Sequence, residues 1–230
     1  MTTALHRKNI TNTLKQVGWW ALFLVCLFYA FYALYMGSVE ILSLLGIVED
    51  AKYRAAPLLF IVHALSGFAA LMTGPLQFNR TLLSKSRNLH RLSGKTYVYA
   101  IWISSIAALW NAIFFDVPFL AKLAFTVLAV LWFSTTTIAF MNIRKHKIKE
   151  HREWMIRSFS LSFFFVTGGF WMPGLTGTSL PYEISYPLAV FLSWSLNLLV
   201  AEAWIRGTRR RFTKKELPHL SKTTTQPNQS

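Results

Sequence analysis

Three of the six histidines stand where an imidazole can bind something. His90 opens the segment HRLSGKTY and His151 opens HREWMIRS, each where a basic loop turns into a long apolar run. His63 lies inside another such run, about eight residues or ~12 Å from its nearer end at 1.5 Å per residue. Paired imidazoles on facing helices are the ligand set of haem b in membrane bundles. His90 and His151 fall at one level, so they are candidate ligands of a single haem iron if their helices pack together. His63 is too far away to share that iron, and an outer haem on it would need a partner such as Met172.

Polar residues recur along the same faces. His90, Tyr97, Ser104 and Asn111 follow one another every seven residues, as one helix face requires. His151, Ser158, Ser162 and Gly169 share a face in the same way, as do His63, Gly67, Ala70 and Gly74. Gln77, Arg80, Arg91, Arg152 and Arg157 form a rim able to grip a quinone carbonyl, an anionic headgroup or a phosphate. Simpler roles compete with each of these. His90 and His151 can bond loop carbonyls or lipid phosphates at the interface. His63 can be a neutral core imidazole bonded to Asn111 or a hydroxyl, and the glycine stripe can serve close helix approach.

The elements that carry these residues are six apolar runs: Val17 to Met36, Ala55 to Phe78, Thr96 to Phe115, Leu123 to Ile143, Ser158 to about Leu175, and Ile184 to Ala201. A crossing of ~30 Å of hydrocarbon takes roughly 20 such residues. With 53% hydrophobic and 14% charged residues, the chain is too apolar for an ordinary soluble domain. It is predicted to be an all-α integral membrane bundle of six transmembrane helices.

All but Lys52, Arg54 and Lys122 of the 24 basic residues fall on one side of that arrangement, which puts the amino and carboxyl termini in the cytoplasm. The net charge of +15 is therefore topology and anionic-headgroup attraction, and nucleic acid is excluded as a partner. The predicted division is a cytoplasmic segment over 1–16, the membrane domain over 17–205, and a basic, flexible cytoplasmic tail over 206–230. The tight turn around Asp116 to Pro118 joins the third and fourth spans as a hairpin. Glu40 is placed in an outer loop, and Glu202 is expected to pair with Arg206 four residues on. The single cysteine, Cys26, rules out an intramolecular disulfide. No nucleotide-binding, serine-hydrolase or metalloprotease signature is present.

His63 with GPLQF (Gly74 to Phe78) and Arg80, then HRLSGKTY, then HREWMIRS, resembles the predicted bacterial membrane proteins of the domain of unknown function 2306. The likeness covers roughly Pro57 to Gly174 and draws attention also to Gly94, Trp154, Met155 and Ser158. It implies a bacterial cytoplasmic (inner) membrane location and supplies no activity. The family pattern has Arg where Lys95 stands, a change that keeps the charge and loses the planar fork.

The function expected is a membrane redox component binding haem b or a quinone at the rim through His90 and His151, with His63 a second, outer contact and a further membrane protein as redox partner. A proton-coupled carrier of small solutes or ions, with the His90 to Asn111 stripe lining its path, is the alternative. So is a non-catalytic accessory subunit.

Overall fold

The computed structural model describes residues 2–48 and 57–223, with side chains described for 13–48, 57–79, 82 and 84–210. The described residues form eight α-helices: α1 (Thr2–Leu44), α2 (Pro57–Thr73), α3 (Arg80–Lys85), α4 (Arg87–Phe114), α5 (Phe119–Arg144), α6 (Ile148–Ser162), α7 (Phe164–Thr176) and α8 (Tyr182–Thr223). A 3-10 turn over Pro75–Phe78 extends α2.

Five segments are long and apolar enough to cross a membrane: Thr13–Leu44, Pro57–Phe78, Arg87–Phe114, Phe119–Arg144 and Tyr182–Arg210. The run from Ser158 to Leu175, expected as one helix, is divided between α6 and α7. Phe163 alone joins them, its N–H bonded back to the Phe159 and Leu161 carbonyls. Two hydroxyl bonds to the backbone lie just before the joint. The hydroxyls of Ser160 and Ser162 donate to the carbonyls of Arg157 (2.7 Å) and Ser158 (3.2 Å), a competition that bends helices. Gly168 and Gly169 follow with their low helix propensity.

Successive helices pack as neighbours. α1 lies on α2, α2 on α4, α4 on α5, α5 on α6, and α7 on α8, while α8 also packs on α5 and α6. α4 and α5 form the expected hairpin across Asp116. The buried positions are held by small residues such as Ala30, Ala70, Ala121, Ala139 and Ala189, whereas Phe28, Phe119, Phe170 and Val200 point outward. This inside-out distribution is that of helices packed in lipid, where close backbone approach rather than water exclusion drives association.

Three boundaries differ from expectation. α1 begins at Thr2, so residues 2–16 of the amino-terminal segment are helix continuous with the first span. α8 runs through Thr223, past residue 206, since its Arg, Lys, Glu and Leu residues are good helix formers extending an already nucleated helix; the last part of the predicted tail, 224–230, lies outside the described residues. Glu40 belongs to α1 and is 2% exposed, not a loop residue.

Candidate functional site

At the basic end of the bundle the distinctive sequence blocks are bound to one another. Gln77 donates through Nε2 to Ser93 Oγ at 2.8 Å, and Ser93 donates to the His90 carbonyl at 3.2 Å. Gly94 lets this happen, because a Cβ there would meet Gln77 Oε1 at 2.9 Å. Phe159 lies against Gly74 and 5.2 Å from the Phe78 ring. Two turns further in, the Tyr97 hydroxyl is 3.0 Å from both Ser158 Oγ and Ser162 Oγ. Ser158 also meets Thr136 Oγ1 at 2.7 Å, and Ser162 accepts from Trp132 Nε1 at 2.8 Å. Helices α4 and α6 are thus joined through side chains, with α5 as the third wall. This buried network satisfies its members. Tyr97 and Gln77 are therefore structural linchpins of this end.

The rim residues divide. His151 donates from Nδ1 to the Ala139 carbonyl at 2.8 Å, and burial holds its imidazole below the ordinary value. His90 lies near enough for its charge and that of His151 to interact, and its Nδ1 is buried without a hydrogen-bond partner. Arg91 and Arg152 are exposed. Arg157 is committed to Glu202, with Nε to Oε1 at 2.5 Å and Nη2 to Oε2 at 3.2 Å, and lies 4.5 Å over the Trp154 ring. Glu202 takes this fork in place of the expected Arg206, because it faces α6 across the helix interface. A second clamp, Arg209 to Glu153, joins the same two helices and holds the Glu153 carboxyl below the ordinary carboxylate range. The side chain of Arg80 lies outside the described residues.

The opposite half of the bundle, toward Asp116, holds a half-open cavity of about 130 Å³. Aromatic side chains make most of its wall: Phe60, Phe115, Phe125, Trp132, Phe164 and Phe165, with Ala108, Ala112, Leu128, Ala129 and Leu161 between them. His63 and Asn111 are the other lining residues among those described, and both are polar. Leu161, Phe164 and Phe165 flank the joint at Phe163, so the interruption of α6 and α7 shapes this wall.

His63 Nδ1 lies 2.9 Å from the Ser104 carbonyl and 3.0 Å from its hydroxyl, and the hydroxyl donates to the His63 carbonyl at 3.2 Å. The carbonyl can only accept, so Nδ1 carries the hydrogen. Nε2 is left as a lone-pair acceptor on a ring that lines the cavity. Asn111 reaches the Leu59 carbonyl at 3.5 Å and does not bond His63.

A cavity of this volume is of the scale that holds one benzene ring. It does not fit a porphyrin, and Met172, named as the partner for an outer haem, packs toward Gly168 of its own helix and is absent from the wall. Among the described residues no three His, Cys, Asp or Glu side chains group as a metal site. What the wall can do is stack a flat ring against aromatic edges and faces and hydrogen-bond one polar substituent.

His63 and Asn111 were legible as candidates from their depth and spacing. Trp132, Phe165 and Leu161 were not, since apolar residues in apolar runs carry no signal of which face they present. Searches of curated proteins and of solved structures give no match. A family model described as a predicted membrane protein (DUF2306) matches residues 60–205, and the chain belongs to that family.

Proposed function

We propose that this multi-pass membrane protein binds the ring of a lipid-soluble quinone or quinol in the cavity beside His63, as the carrier-binding part of a membrane redox assembly. The observation that carries the reading is an aromatic-walled cavity of single-ring size with one imidazole Nε2 available to a ring oxygen. Apolar walls with a few placed polar groups are the usual form of a small-molecule site.

In this reading the chain crosses the bilayer six times. The end of α6 and α7, interrupted at Phe163, makes the fifth crossing, from Ser158 to about Leu175. Both termini lie in the cytoplasm on the positive-inside argument, and His63 faces the outer half of the membrane. Interrupted helices beside a midplane site are a recurring device for admitting ligands.

The test is equilibrium binding of a short-chain quinone to the protein in lipid nanodiscs, against empty nanodiscs. Ala129→Leu, which fills the cavity, should abolish binding, and His63→Ala should weaken it. Binding that survives Ala129→Leu unchanged overturns the reading.

A second reading, haem b on His90 and His151, draws on the Nδ1 bond from His151 to Ala139. That bond leaves Nε2 free and oriented, as a bond from the other ring nitrogen does for ligating histidines. A dithionite-reduced minus oxidised spectrum of haem-replete protein, with His90→Ala and His151→Ala, tests it. A flat spectrum from the folded, haem-replete protein removes it.

A further inference from the structure

We infer that the cavity takes the reduced, hydroxyl-bearing form of its ring in preference to the oxidised, carbonyl-bearing form. The inference rests on the ring-binding reading above and adds to it a direction of selectivity.

The tautomer of His63 sets that direction. Its Nδ1–H is directed at the Ser104 carbonyl, 2.9 Å away, and Ser104 ties the pair from both sides through its hydroxyl. Among the described residues no acidic side chain lines the cavity to stabilise an imidazolium against apolar surroundings. The neutral ring therefore presents Nε2 as an acceptor only. A phenolic or hydroquinone hydroxyl donates to it, whereas a quinone carbonyl would face a lone pair with its own.

The other polar groups do not reverse this. Trp132 spends its only N–H on Ser162, at 2.8 Å, and so has none for the cavity. Asn111 offers both an amide N–H and a carbonyl, and so serves either form of the ring. Discrimination falls to His63. A site built around a buried hydrogen-bonding group rejects the analogue that leaves it unpaired, and the expected preference is on the order of tenfold or more.

The test is anaerobic titration of the full-length protein in nanodiscs with 2,6-dimethylhydroquinone and with 2,6-dimethyl-1,4-benzoquinone, in wild type, His63→Phe and Asn111→Leu. Tighter binding of the hydroquinone, lost in His63→Phe and kept in Asn111→Leu, is expected. Equal binding, tighter binding of the quinone, or a preference that persists in His63→Phe overturns the inference while leaving the cavity a ring site. Failure of both probes to bind overturns the cavity reading and the inference with it. Should His63→Phe not fold, nitrogen-15 NMR of histidine-labelled wild type decides between the tautomers. An Nδ1–H ring supports the inference, and an Nε2–H ring ends it.

Discussion

Phe159 occupies the space that a side chain on residue 74 would need: a Cβ there would come within 2.7 Å of its ring and 3.0 Å of the Ala70 carbonyl. Phe159 is itself buried at 8% exposure and packed against the tilted Phe78 ring, so it cannot swing away. Gly74→Ala should destabilise the protein by about 1–3 kcal/mol, the range for overpacking a close-packed interior. Gly94→Ala meets only the amide end of Gln77, a flexible side chain that can shift at the expense of its one bond to Ser93, and should cost less. Thermal unfolding of both variants in detergent checks the order, and an equal or reversed effect would refute it.

The hydroxyl network predicts coupling between helices. Tyr97→Phe and Thr136→Val each remove a partner from Ser158, and each should cost about 0.5–1.5 kcal/mol, as hydrogen bonds inside membranes do. Since both act on one serine, the double variant should depart from additivity. Simple additivity in unfolding measurements would mean that the three hydroxyls act independently.

Arg157 and Glu202 make a partly buried fork. Glu202→Gln should lower stability by on the order of 2 kcal/mol, less than the 3–5 kcal/mol of a fully buried broken pair. Arg206→Ala, at the partner expected from helical spacing alone, should have little effect. Comparable losses in the two variants would show that the fork does not carry the interaction.

Acid should weaken the packing of α6 in two stages, first where His151 bonds the Ala139 carbonyl of α5 and then where Glu153 holds Arg209 of α8. Burial lowers the His151 pKa from 6.5, so protonation costs the folded protein more than the unfolded one. That contribution is whole above 6.5 and fades as pH drops below it toward the lowered folded value. The Glu153 carboxyl, lowered from 4.5 by its bond to Arg209, contributes above 4.5 and is lost as pH falls through its folded value. Unfolding temperature followed from about pH 8 to about pH 2.5 should fall in both windows. His151→Gln should flatten the first stage alone, and an unchanged profile in that variant would assign the first stage to another group.

Much of this architecture is written in the chain itself. Runs of about 20 apolar residues must become helices in a bilayer, because lipid offers no partner for an unpaired backbone group. The seven-residue spacing of His90, Tyr97, Ser104 and Asn111 likewise placed them on one face of α4. The family blocks were visible as blocks, yet their sequence did not say that GPLQF, HRLSGKTY and HREWMIRS lock together through Gly74, Gln77, Gly94 and Phe159.

Tertiary structure decided the rest. Hydropathy measures how apolar a run is, not which side of it faces a neighbour, so the aromatic wall of the cavity stayed hidden among equally apolar lipid-facing residues. The partner of Glu202 comes from a helix 45 positions away. The tautomer of His63 is set by the Ser104 carbonyl 41 residues distant. Each of these is a contact between elements far apart in the chain, and only their packing brings the atoms within reach.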